Sequence, residues 1–117
     1  MPRFESFDEV ESFVQSNGGI VTVTMEDLRN AHGVGRLGIH VRRAIHSNLA
    51  GKGIGHWPKE LPEYAHEPVR LYSLGGRFAE CVNDIYDLTS EADERLRDIF
   101  VTNYEEIIQK IRELVCN

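Results

Sequence analysis

The stretch Arg36-Leu37-Gly38-Ile39-His40-Val41-Arg42-Arg43-Ala44-Ile45-His46-Ser47-Asn48-Leu49-Ala50 organises the reading of this chain. At 100° per residue, Leu37, Val41, Ala44, Ile45 and Asn48 gather on one side, with Leu49 at the margin. Arg36, Ile39, His40, Arg43, His46 and Ser47 fall on the other, and Arg42 flanks them. The spacing predicts a helix from about Arg36 to Ala50, closed by Gly51 and Gly53, with one buried stripe and an opposite face that is basic and polar.

Moving toward the N-terminus, Gly33-Val34-Gly35 reads as a tight turn. Before it, Thr24 is placed to cap a short helix, with Glu26 and Asp27 at its positive end and Leu28 and Ala31 facing inward. The β-branched run Ile20-Val21-Thr22-Val23 predicts a strand. Ser6 and Glu9 form a capping-box pattern ahead of Phe7, Val10, Phe13 and Val14, which share a helical face that Gly18-Gly19 ends.

Toward the C-terminus, Ile54-Gly55-His56-Trp57 predicts a short strand, and Val69-Arg70-Leu71-Tyr72-Ser73-Leu74 alternates as a half-buried strand does. Pro58, Pro62 and Pro68 keep the intervening stretch irregular, so the two strands form a hairpin with a long tip, ended by Gly75-Gly76. Phe78, Cys81, Val82, Ile85 and Leu88 then mark a fourth helix, and Thr89-Ser90 breaks and recaps it. From about Glu91 to Val115, Phe100, Tyr104, Ile107, Ile111 and Leu114 recur at 4-3-4-3 spacing, widened by Ile99, Ile108 and Val115. About 25 helical residues extend roughly 37 Å, which exceeds what a core of this size covers. The stripe of Phe100, Tyr104, Ile107, Ile108, Ile111 and Leu114 is therefore expected to pair in a homodimer; the alternative is a helix folded back on its own domain.

This order of elements (helix, strand, helix, tight turn, helix, strand, long loop, strand) resembles the winged helix-turn-helix superfamily over residues 6 to 74. The resemblance implies an α+β, mostly helical chain. Residues 1–76 would form a winged-helix-like domain with a small β-hairpin wing, and residues 77–117 a C-terminal helical dimerisation extension. It further implies that the helix at 36–50 is a recognition helix for double-stranded DNA and that His56 to Pro68 is the wing, as in small homodimeric transcriptional regulators. Arg36, Ile39, His40 and Arg43 are then positioned for base edges, where arginine pairs with guanine and an apolar side chain meets a thymine methyl. Arg42, His46, Ser47, Lys52 and Lys59 would meet phosphates.

Charge placement is independent of the resemblance. The formal charge is −6, yet residues 36–77 hold seven bases against three acids, and no acidic residue occurs between Asp27 and Glu60. The central block also holds His40, His46, His56 and His66. Such a focus is the footprint of an anionic partner, or else a basic middle that pairs with the protein's own acids. Against DNA stands the wing itself, where Glu60, Glu63 and Glu67 outnumber Lys59. A winged scaffold that docks another protein, through Trp57 and Tyr64 or through the last helix, is the alternative.

Other chemistries find little support. Gly33-Val34-Gly35-Arg36-Leu37-Gly38 matches G-x-G-x-x-G, but a helical segment rather than a strand precedes it, so no dinucleotide site and no other cofactor is expected. The histidines lack metal-ligand spacing, and Cys81 and Cys116 fall on apolar faces. Among nucleophile elbows, metalloprotease motifs and phosphate loops none is present, so an enzyme is not expected. With 41% hydrophobic and 27% charged residues in 117, the composition fits one globular domain. No run is long enough for a membrane span and the N-terminus has no apolar signal core, so the expected location is the cytoplasm, away from membranes.

Overall fold

The computed structural model of the chain describes residues 4–33 and 35–116, with the side chains at 100, 102–104 and 116 outside the described set. Val34 of the expected turn, and the side chains of Phe100 and Tyr104 of the expected dimer stripe, therefore lie outside it. The elements run α1 (Phe7–Ser16), β1 (Ile20–Thr24), α2 (Met25–His32), α3 (Ile39–Gly51), β2 (Ile54–Trp57), β3 (Pro68–Ser73), α4 (Arg77–Tyr86) and α5 (Ser90–Cys116). The chain is α+β, with helices predominating and one small antiparallel sheet among the described residues. It divides into two compact units, Met1–Ala79 and Glu80–Asn117.

In the first unit β3 is the central strand, in the order β1-β3-β2, and both pairings are antiparallel. The register sets Val21 against Leu71, Val23 against Val69 and His56 against Leu71. Alternation therefore sends Val23, Ile54, Val69 and Leu71 to one face, where they pack with Val10, Val14, Met25, Leu28, Ile45 and Leu49 from the three helices. The opposite face carries Thr22, Arg70 and Trp57, and Tyr72 is buried there with its ring edge-on to Phe78 at 5.2 Å.

The caps follow local chemistry. Thr24 and Asp27 form a complete capping box, with Asp27 N–H donating to Thr24 Oγ1 and Thr24 N–H donating to Asp27 Oδ2. Met25 and Glu26 N–H donate to the carbonyls of Glu67 and Ala65, so the first three donors of α2 all have partners. At α1, Ser6 Oγ accepts from Glu9 N–H as expected, but the Glu9 carboxylate reaches back to Glu5 N–H rather than to Ser6.

Several boundaries differ from the sequence reading. α3 starts at Ile39, not Arg36, because Gly33 and Gly35 hold φ of 115° and 133° and Gly38 is extended. Arg36 thus belongs to the turn that leads into the helix. Asn48, expected on the buried stripe, is exposed, whereas the marginal Leu49 is fully buried. β3 begins one residue early and ends at Ser73, leaving Leu74 exposed. α4 ends at Tyr86, so Leu88 lies outside it and is 93% exposed. Cys81 is half-buried rather than a core residue. The hairpin tip does not project freely: Leu61 is buried in the core, and residues 65–67 are held by the start of α2.

Within the second unit, Thr89 Oγ1 accepts from Ala92 N–H at the start of α5. Arg95 of α5 donates through Nε and a terminal nitrogen to Asp84 of α4, at 3.0 and 2.8 Å, and Asp87 stands 3.8 Å away. No helix among the described residues is long and apolar enough to cross a membrane.

Candidate anion-binding surface on helix α3

The exposed face of α3 carries Ile39, His40, Arg43, His46 and Ser47, with Arg36 in the turn just before it. Ile45 and Leu49 anchor the opposite face in the core, which fixes the rotation of the helix and so determines which side chains face outward. α1 and α2 begin with side-chain caps and acidic first turns; α3 begins at Gly38 with no side-chain cap and no acid in its first turn. Among the described residues Arg36 and Arg43 form no ion pair.

The other expected cations are more engaged. Arg42 Nε donates to Leu37 O at 3.2 Å and a terminal nitrogen donates to Leu61 O at 3.3 Å, with the Glu63 carboxylate at 3.7 Å. Its guanidinium thus ties the start of α3 to the β2–β3 loop. Lys52 pairs with Asp8 of α1, which holds its ammonium above the ordinary lysine range, first through the hydrogen bond and then through Coulomb attraction. Lys59 stands on the loop across from α3, beside Glu60.

Between these two elements lies an open groove of about 430 Å³. Ile39, Arg42, Arg43 and His46 form the α3 side; His56, Lys59, Glu60 and Leu61 form the other. Two of its lining side chains are imidazoles that the sequence reading did not connect. His46 Nδ1 lies 2.7 Å from His56 Nε2, with the rings edge-to-face and their centroids 5.0 Å apart. His56 Nδ1 in turn lies 2.7 Å from Pro58 O. His56 is buried, and burial pushes its imidazole below the ordinary histidine range, against a smaller upward pull from the Pro58 carbonyl. One signal for this pair was present in the sequence. Alternation along Ile54-Gly55-His56-Trp57 puts His56 on the same side as Ile54, and a buried imidazole requires a hydrogen-bonding partner.

The remaining histidines go elsewhere: His66 stacks on Tyr64 at 6.1 Å, and His40 stands exposed on α3. Among the described residues, no three His, Cys, Asp or Glu side chains converge as a metal would require. The arrangement offers arginine donors, an uncapped helix start and an imidazole pair on one surface, which is chemistry suited to phosphate or carboxylate oxygens.

No protein-family model matches the chain, nor does any curated protein or solved structure.

Proposed function

We propose that this chain is a winged helix-turn-helix DNA-binding protein, acting in the cytoplasm as a homodimeric transcriptional regulator. In this reading α3 lies in the major groove, Arg36, Ile39, His40 and Arg43 meet base edges, and His46, Ser47 and Lys59 meet the backbone. The observation that carries it is the exposed face of α3 with its lead-in turn. Arg36 and Arg43 are unpaired among the described residues there, and the chain has no acidic residue from Leu28 to Lys59. The order of elements and the β1-β3-β2 sheet agree with the winged layout. Arg42 and Lys52 contribute less to this reading than Arg36 and Arg43, since the protein's own groups already occupy them.

The dimer reading draws on α5. Ile107, Ile111 and Leu114 are 57%, 52% and 83% exposed and stand four and three residues apart. That period is the seam of a two-stranded coiled coil, so the occupant that fits it is the same stripe on a second copy.

A second reading, a protein-interaction module without DNA binding, draws on the loop. Tyr64 is 63% exposed and Trp57 44%, among Glu60, Glu63 and Glu67. An acidic aromatic loop suits a basic protein partner better than a phosphate backbone. Fluorescence anisotropy with a random-sequence duplex separates the two. DNA binding gives an affinity that falls steeply between low and physiological salt, as counterion release requires. Absence of binding at low salt removes the DNA reading and leaves the partner reading.

A further inference from the structure

His46 and His56 share one hydrogen bond in the groove, and its partners determine where the hydrogens sit. Pro58 O can only accept, so His56 Nδ1 carries a hydrogen and donates to it. The His46–His56 contact has room for a single hydrogen. A neutral His56 has a bare Nε2, and His46 Nδ1–H therefore donates to it. It follows that neutral His46 has a bare Nε2 on a ring that is exposed and lines the groove.

An added proton has two possible destinations. On His56 Nε2 it would charge a buried ring, with His46 turned to its other tautomer so that Nδ1 accepts. On His46 Nε2 it leaves both hydrogen bonds intact and strengthens the one to His56, because an imidazolium is the better donor. The depression of His56 by burial works in the same direction. Of the two rings, the exposed one is the better place for a charge.

We propose that a phosphate oxygen bound in this groove is hydrogen-bonded by Nε2 of a protonated His46, so that anion binding is coupled to the uptake of one proton. The inference rests on the DNA-binding reading and deepens it. A helix seated in the major groove brings the elements beside it against the phosphates, and this groove lies directly beside α3. Arg42 and Arg43 from α3, Lys59 from the loop and His56 from β2 line the groove with His46, a positive balance against the one carboxylate of Glu60. A bound phosphate reverses that balance by placing negative charge among the cations.

The test is binding of a random-sequence duplex by anisotropy from pH 5.5 to 8.5 at constant low ionic strength, for the wild type and for His46→Asn. Asparagine keeps a donor near the Nδ1 position and cannot titrate; a thermal melt at each pH confirms that the variant is folded. Since the pH slope counts protons taken up, wild-type affinity should fall by as much as about tenfold per pH unit in the upper part of the range. The His46→Asn slope should be shallower by one proton. Equal slopes overturn the inference while leaving DNA binding in place. A second arm follows the His46 Hε1 resonance through a pH titration with and without sulfate, a non-titrating stand-in for free phosphate. If no duplex binds at any pH, the DNA reading fails by itself and this arm decides. A midpoint raised by sulfate retains the site for a free phosphate, and an unmoved midpoint overturns it.

Discussion

Tyr72 covers Gly55 across the β2–β3 ladder so closely that a Cβ on Gly55 would stand 2.5 Å from Tyr72 Cε2. Leu74 Cδ2 would be 2.9 Å away on the same side. The tyrosine ring has little room to yield, because it is buried against the edge of Phe78. Gly55→Ala is therefore expected to cost about 1–3 kcal/mol through overpacking, lowering the midpoint of urea denaturation. Gly51→Ala is its control, since nothing lies within 4 Å of a Cβ there and its φ is not positive. Equal stability of Gly55→Ala and the wild type would show that the ring moves aside.

Arg42 secures the β2–β3 loop to α3 through the carbonyls of Leu37 and Leu61. Arg42→Ala should cost about 1–2 kcal/mol for two hydrogen bonds from a charged, partly buried donor. Arg42→Lys should not restore it, because an ammonium has no planar fork to span the two carbonyls. The Glu63 contact adds little, as that carboxylate is mostly exposed. Hydrogen exchange at the loop amides checks this: faster exchange in both variants is expected, whereas rescue by lysine would reduce the interaction to simple charge.

The pH dependence of stability follows from His56. Its folded-state imidazole lies below the ordinary value of about 6.5 because it is buried. The unfolded chain therefore binds the proton more readily, so this contribution is complete above about pH 6.5 and is lost progressively as the pH falls below that value. Denaturant midpoints at pH 7.5, 6.5 and 5.5 should decline for the wild type and be flatter for His56→Asn. A decline of equal size in the variant would assign the effect to other groups.

Ile107 and Ile111 test the dimer. Wild-type protein at micromolar concentration should sediment at about twice 13.3 kDa. Ile107→Asp with Ile111→Asp should sediment as a monomer, since both side chains are more than half exposed in one chain and close the seam only in two. A wild-type monomer would contradict the pairing of α5.

Much of the fold was legible because it depends on short-range signals. Thr24 and Asp27 three apart, the glycines at 18–19 and the β-branched run at Ile20 each determine local geometry within a few residues. The start of α3 was misplaced because helical periodicity cannot register that Gly33 and Gly35 hold positive φ and so push the helix start to Ile39. Asn48 was placed on the buried stripe and Leu49 only at its margin because neighbours 100° apart are resolved only by what packs on them. In the candidate site, the basic face of α3 could be read from spacing. The His46–His56 pair and the engagement of Arg42 and Lys52 could not, because each joins α3 or the residue after it to an element distant along the chain. For Lys52 and Asp8 that separation is 44 residues.

The measurement that reaches the central claim most directly is duplex binding by Arg36→Ala/Arg43→Ala beside the wild type, with the melting temperature of each. Both arginines are exposed and unpaired among the described residues, so their loss should leave the fold intact. The double variant should keep an unchanged melting temperature and lose duplex binding, while wild-type affinity should weaken steeply with salt. Undiminished binding by the folded double variant would contradict the assignment of α3 as the DNA-reading helix.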